Sequence, residues 1–175
     1  PDARPKSIVF DEFLFEVVSL YHSAGMPVIF RPGALGCRVM IDAGQWKQIF
    51  HNLVSNSVDA MANVEKPRIV ITTEALFRDN ESAPYAIRLL LKDNGSGFSE
   101  KILSHAFEPY VTTKETGTGL GLPMVKKILD NHGAAIHLSN RMDVPCGAQV
   151  EIIVQAVQNE SGDGANETEP DHTLL

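Results

Sequence analysis

Two cysteines in 175 residues, Cys37 and Cys146, are too few to staple a fold and too unlike in context to form a zinc site. They read as reduced, partly buried thiols. No apolar run approaches the ~20 residues that a membrane span needs, and no signal peptide is visible. Basic residues are also short: 15 Lys and Arg stand against 22 Asp and Glu, for a formal charge of -7. From Gln158 onward there are five acids and neither Lys nor Arg, which leaves the rest of the chain at about -2. Without a basic face the chain is not expected to bind nucleic acid, although a local phosphate site stays open. The chain begins at Pro1 without Met, so it is expected to be an excised piece of something longer. What is present is ordinary: 43% hydrophobic residues, at a length suited to one well-cored domain.

The pattern of elements is mixed. IVFDEFLFEVVSLY predicts a short β-like start running into an amphipathic helix through about Tyr21. PVIFRPG and CRVMID read as two short strands, and Ala43 to Asn63 as a helix. RIVITTEALF and YAIRLLLKD read as antiparallel neighbours, the second apolar enough to be buried on both faces. A short helix is expected near Glu100 to His105, and a longer one, LPMVKKILDNHG, closed by Gly133. AAIHLSNR and GAQVEIIVQAV are two further strands, joined by a turn at Asp143 to Gly147. Past about Gln158 the chain is polar, acidic and expected to be disordered. Strands with interspersed helices and hairpin-like connections make the fold class α+β, with helices on one sheet face.

One helix is unusual. In HNLVSNSVDAMAN, Asn52, Asn56, Asp59 and Asn63 recur at three- and four-residue steps opposite the apolar face. At 100° per residue they fall within an arc of ~60°. Asn and Asp are mediocre helix formers because their side chains compete for backbone groups. An ordinary solvated face would carry Lys, Glu, Gln or Arg, so this stripe is expected to face something. Two glycine-rich stretches follow. DNGSG (Asp93 to Gly97) ends the most apolar strand, where a carboxylate can accept from a ligand; a plain strand-to-turn exit is the alternative. GTGLGL (Gly117 to Leu122) opens a helix, where backbone N–H groups suit an anion. It is not a P-loop, because Lys126 and Lys127 lie inside the helix. Nor is it a dinucleotide fingerprint, because its third glycine, Gly121, comes one position early.

Taken in order, QIFHNLVSNSVDA, DNGSG, FEPYVTT and GTGLGL resemble the N, G1, F and G2 boxes of the ATP-binding domain of bacterial sensor histidine kinases. That domain belongs to the wider family shared with DNA gyrase, Hsp90 and MutL. The wording FEPYVTTK with GTGLGLPMVKK is most similar to the nitrogen-regulation type of sensor kinase. The resemblance runs from about Ile8 to Val157. It implies a two-layer α/β sandwich of the Bergerat type, with a mixed, mainly antiparallel sheet. Residues 1–157 would be the ATP-binding catalytic domain and 158–175 an acidic tail.

The resemblance also implies roles. Asn56 would hold Mg²⁺ through its side-chain carbonyl, with ATP (or ADP) phosphates and water as the other ligands. Asn52 would line the same pocket, and Asp93 would accept from the adenine amino group. Gly95 and Gly97 would let the chain pass under the base. Gly117, Gly119 and Gly121 would shape the phosphate turn, with Thr118 beside them and Leu120 and Leu122 anchoring the helix behind. Phe98 to Thr118 would be a lid, from which Lys114 either reaches a phosphate or stays in solvent. Where gyrase-like and Hsp90-like relatives carry a Glu as general base, this chain has Asn52, which disfavours rapid hydrolysis. His51, ~100° round the helix from Asn52, is expected to be structural. None of His22, His105, His132, His137 or His172 has the setting of the family's phosphoacceptor, a helical hairpin with an adjacent acid ahead of a proline. The acceptor would therefore lie on a separate dimerisation domain of the same parent protein. A response-regulator receiver domain would be the next partner, and a homodimeric, cytoplasmic parent is expected. Ala148 departs from relatives that often have a hydroxyl there. A protein-serine kinase of the same fold, or a nucleotide-binding module without phosphotransfer, are the alternatives.

Overall fold

Alternation of apolar and polar side chains sets which face of each strand is buried, and so where the helices must lie. The computed structural model describes residues 2–111, 119–143 and 146–158. β1 (Lys6–Val9) leads directly into α1 (Phe10–Ser23), followed by β2 (Val28–Arg31) and β3 (Arg38–Ile41). Next come α2 (Ala43–Ala60), β4 (Ile69–Leu76), β5 (Ala86–Asp93) and the short α3 (Glu100–His105). α4 (Gly121–Asn131), β6 (Ala135–Asn140) and β7 (Ala148–Gln155) complete the described elements. The main sheet has the order β2-β4-β5-β7-β6, with β2 parallel to β4 and every other pair antiparallel. The two short strands β2 and β3 part company: β3 pairs instead with β1 in a separate antiparallel ribbon. The α+β class and the predicted antiparallel pairing of β4 with β5 both hold.

Ile69 and Ile71, Ile87, Leu89 and Leu91, and Val150, Ile152 and Val154 turn one face of the sheet inward. Against it pack Phe10, Leu14 and Val17 of α1, Trp46, Ile49, Phe50 and Leu53 of α2, and Val125 and Leu129 of α4. Each such side chain contributes about 1.5–3 kcal/mol by leaving water. The sheet's other face carries polar groups. Arg88 sits 3.0 Å from Glu74 and 3.2 Å from Glu151 across the neighbouring strands. β5 is therefore not buried on both faces as its composition predicts. Arg88, Leu90 and Lys92 stay half-exposed, because an antiparallel sheet with helices on one side leaves the other to solvent.

α2 is fixed at both ends. Asp42 caps it, accepting from the Gln45 N–H (3.1 Å) and, with its other oxygen, from the Arg4 N–H (2.9 Å). The Asp42 N–H donates to His132 Nε2 at 3.1 Å, while His132 Nδ1 lies 2.8 Å from the Ile128 carbonyl. That pattern fits a neutral imidazole with the proton on Nδ1, tying the end of α4 to the start of α2. The Trp46 and His132 rings meet edge-on at 6.0 Å beside this joint. At the other end the Ala60 carbonyl accepts from the Ser96 N–H (3.2 Å). The helix stops there, short of the predicted Asn63, which is exposed in the following turn. The amide stripe thus keeps Asn52, Asn56 and Asp59 and loses Asn63.

A buried carboxylate escaped the sequence reading. Asp11, 4% exposed on α1, accepts from the Ala34 N–H at 3.0 Å and from Thr73 Oγ1 at 2.6 Å. Thr73 Oγ1 in turn accepts from the Gly33 N–H at 2.9 Å, so one network locks the β2–β3 connection onto β4.

The cap predicts a measurable effect. Asp42→Ala should lower stability by about 1 kcal/mol near neutral pH, read from urea denaturation. The Arg4 and Gln45 N–H groups hold the Asp42 carboxyl below its ordinary range. A folded value below the unfolded one stabilises above the unfolded pKa and is lost as pH falls through the folded one. The gap between wild type and variant should therefore close on acidification below about pH 4. A gap that persists there would mean that the carboxylate charge is irrelevant to the cap.

Candidate functional site

The polar face of α2 does look onto a cavity, of about 550 Å³. That is ample for a nucleotide-sized ligand. Asn52, Asn56 and Asp59 line one side, and Asp93, Ala148 and Val150 form the floor. Ser96 to Ser99 and Ile102 close one end, while Gly119, Gly121, Leu122 and Pro123 close the other. The sheet dictates this placement. β5 and β7 deliver their last inward residue and their first, Asp93 and Ala148, to the same point beneath α2.

Asp93 is 1% exposed, and its Oδ1 accepts from the Gly95 N–H and the Ala148 N–H, each at 3.0 Å. Oδ2 accepts no hydrogen bond among the described residues, so the acid presents one acceptor to the cavity. That oxygen is not among the fully buried atoms left without a partner, so it is open to the cavity, where a ligand donor can take the place of water. Ala148 holds Asp93 through its backbone, so the missing hydroxyl removes a possible contact without loosening the acid. Two residues absent from the sequence reading complete the joint. Arg141 Nη1 donates to the Asp93 carbonyl at 3.1 Å, while its Nε and Nη2 grip Asp143 at 3.0 and 2.8 Å. The same guanidinium pulls the Asp143 carboxyl down to about 2. Asn140 Oδ1 accepts from the Phe98 N–H at 2.7 Å, and its Nδ2 donates to the Phe98 carbonyl at 2.9 Å. Both sit at the end of a strand, which is the one weak signal that could have marked them.

The glycines divide differently from the expectation. Gly95 is tight against the end of α2: a Cβ there would meet the Ala60 carbonyl oxygen at 2.6 Å. Its role is close approach of DNGSG to the end of α2, and it is absent from the cavity wall. Gly97, with φ +80°, does line the cavity, packed against the Asn140 amide. Gly119, with φ +71°, also lines it, but a Cβ there would strike the Tyr110 backbone at 2.5 Å rather than a ligand. The Tyr110 N–H donates to the Gly119 carbonyl at 3.1 Å, pinning together the two ends of the segment between them. Gly117, Thr118 and Lys114 lie outside the described residues.

At the far end, a Cβ on Gly121 would come within 3.0 Å of Asn52 Oδ1, which shows how closely that amide approaches the start of α4. Asn52 Nδ2 donates to the Gln48 carbonyl at 2.9 Å, which fixes the rotamer. Pro123 at the third helical position has no N–H, leaving those of Gly121 and Leu122 to serve an anion. Leu120 is 43% exposed, whereas Leu122 packs against the core. Two residues, ~200° round a helix, separate them, and only Leu122 falls on the core side. His51 is exposed yet lines the cavity edge, so it is not the packing residue that the sequence suggested. The described part of the expected lid is better anchored than its composition implies. Ser99 caps α3, Ala106 is buried, and Phe98, Ile102 and Phe107 pack on the core.

Comparison with known proteins agrees with this geometry. The family model described as histidine kinase-, DNA gyrase B- and HSP90-like ATPase matches residues 41–158. Sporulation kinase A of Bacillus subtilis is 37% identical over 99 residues, covering 57% of this chain and 15% of that protein. The sensory histidine kinase/phosphatase NtrB of Rhizobium leguminosarum is 32% identical over 110 residues, covering 59% of this chain and 29% of its own length. The chain thus spans less than a third of each of these relatives. The catalytic domain of histidine kinase ThkA superimposes with a TM-score of 0.70 at 27% identity, covering 87% of this chain and 95% of that one. A structure of ThkA in complex with response regulator protein TrrA, at 24% identity, shares the fold.

Gly119→Ala tests the turn. A side chain at φ +71° with its Cβ against the Tyr110 backbone should cost about 1–3 kcal/mol of stability. Unchanged urea unfolding would show that the turn relaxes freely and that the glycine is dispensable to the fold.

Proposed function

The chain belongs to the histidine kinase-, DNA gyrase B- and HSP90-like ATPase family, as an ATP-binding catalytic domain of the two-component sensor histidine kinase kind, and from that premise we propose that it binds ATP·Mg²⁺ and presents the γ-phosphoryl to a histidine on a separate helical domain. The single observation that carries the reading is the polarity of the cavity: one unpartnered carboxylate oxygen at one end, and backbone N–H groups at a helix start with an amide beside them at the other. Adenine and phosphate want those two ends. Asp93 Oδ2 accepts from the adenine amino group. The Gly121 and Leu122 N–H groups and Asn52 receive the phosphates. Asn56 lies in the wall between them, and one amide carbonyl suits an ion that keeps its waters and takes most of its ligands from phosphate. No group of three His, Cys, Asp or Glu side chains among the described residues could hold a metal alone. The ion, when bound, neutralises charge building on the transferring group.

Asn52 offers an amide where hydrolytic relatives have a base, so water is poorly activated and the phosphoryl is kept for another acceptor. Among the described histidines, His132 is engaged in the α2–α4 joint and His105 pairs with Glu108 at 3.2 Å. By its likeness to the family, the phosphoacceptor lies on a histidine-bearing dimerisation domain of the parent protein, and a response-regulator receiver domain takes the phosphoryl next. Residues 1–157 form the catalytic unit, with 158–175 an acidic appendage. No described helix is long and apolar enough to cross a membrane, and we place the domain in the cytoplasm, where ATP is available, as part of a homodimeric sensor of the nitrogen-regulation type.

Two measurements test this. Asp93→Asn keeps one oxygen for the Gly95 and Ala148 N–H groups but turns an NH₂ toward the adenine amino group. It should weaken ATP binding by ~1–3 kcal/mol or more, roughly 5- to 150-fold, by calorimetry. Equal affinity of the wild type for ATP and GTP would remove the adenine assignment. Alone, the chain should take no label from γ-labelled ATP. With the parent's histidine-bearing hairpin supplied, the hairpin should acquire an acid-labile, alkali-stable label. An acid-stable label would point to a serine kinase, and no label despite tight binding to a binding module.

A further inference from the structure

Among its described residues the cavity wall is short of positive charge. Its charged residues are Asp59 on α2 and Asp93 on β5, and neither Lys nor Arg occurs among its described residues. Lys47 one turn before His51, Lys101 on α3 and Lys127 on α4 all lie off the wall, and Lys126 is committed to Asp130. A nucleoside triphosphate brings several negative charges to such a site. Backbone dipoles and a bound cation offset part of that. Among the described wall residues, His51 is the one side chain able to carry a positive charge.

Its place on α2 decides which phosphate it serves. The helix ends at Ala60, whose carbonyl accepts from Ser96 beside the Asp93 end of the cavity. Counting back at 1.5 Å per residue, His51 lies ~14 Å up the helix axis from Ala60 and ~8 Å beyond Asn56. Asn52, its neighbour, is the residue that meets Gly121 at the start of α4. The order along the cavity is therefore base at Asp93, metal at Asn56, then Asn52 and His51. Round the helix, His51 and Ser55 lie on the solvent side of the amide stripe, so the imidazole overhangs the mouth rather than the floor.

Resting on the nucleotide reading above, we propose that His51 contacts the terminal phosphate of a bound nucleoside triphosphate and makes the site prefer triphosphate over diphosphate. Because histidine changes charge between about pH 5 and 8, and a facing phosphate favours the charged form, that preference strengthens as the solution is acidified. A diphosphate ends one phosphoryl short of the imidazole and gains less.

Calorimetry with ATP·Mg²⁺ and ADP·Mg²⁺ on wild type, His51→Gln and His51→Arg, at about pH 6 and about pH 8, separates the possibilities. Gln is a good helix former at this exposed position, so folding should be unaffected. At the lower pH, His51→Gln should weaken ATP binding about 3- to 10-fold, with little change for ADP, the range of one charged contact part-screened by solvent. At the higher pH the two proteins should converge. His51→Arg should bind ATP tightly at both values. The terminal phosphate itself titrates in this range, but equally for all three proteins, so their comparison cancels it. The same pH response in wild type and His51→Gln, or equal losses for ATP and ADP, would overturn the proposal while leaving nucleotide binding intact. A wild type that binds neither nucleotide would overturn the nucleotide reading, and this proposal with it.

Discussion

Asp93 is where the sheet becomes a site. Its backbone closes β5, its carbonyl is held by Arg141, and one carboxylate oxygen collects the N–H groups of Gly95 and Ala148. Three segments distant in sequence are thereby fastened at one buried point. The tightness of that point explains the glycines around it. A Cβ on Gly147, which has φ +154°, would lie 1.9 Å from the Asp93 carbonyl oxygen, and one on Gly95 would press into the end of α2. Once these groups are in place, the remaining carboxylate oxygen has nowhere to point but the cavity.

A second constraint acts on α2, which must satisfy two environments at once. Its apolar side carries Trp46, Ile49, Phe50 and Leu53 into the core, where they resist rotation of the helix. With that side fixed, the amides on the other side are turned to the cavity, and the Gln48 carbonyl holds the rotamer of Asn52. Asp42 and His132 fix its start against α4, and Ser96 fixes its end against the DNGSG turn. The two helix ends that matter for a ligand, the end of α2 and the start of α4, are therefore positioned relative to each other by packing. Binding energy can then be spent on the ligand rather than on ordering the site.

Much of this was legible in the chain itself. The period of the apolar residues gave the helices, the alternation gave the strands, and the amides at three- and four-residue spacing marked a helix face that solvent alone does not require. The motif order DNGSG, FEPYVTT, GTGLGL named the family because each motif is a local stretch whose spacing survives as linear text. What stayed hidden were pairings between distant residues: Asn140 with the Phe98 backbone, Arg141 with Asp93, and Asp11 with Thr73 and Ala34. Single polar residues at strand ends, or one acid on an apolar helix face, look the same in sequence whether they meet water or a buried partner.

Local periodicity and glycine spacing are properties of short segments, so the element types, the α+β class and the family of site are already written in the linear chain. Which glycine serves which neighbour depended on how α2, β5 and the segment after Gly119 meet, and that is set only when the core closes. Gly95 consequently belongs to the α2 contact and Gly119 to the Tyr110 backbone, while Asn63 falls beyond the helix and Leu120 turns outward. His51 shows the division most plainly. Its helix angle reads as structural in the sequence, yet the tertiary structure leaves it as the one described wall residue that can become a cation. Charge at a site is a sum over elements brought together from across the chain, and no single segment carries that sum.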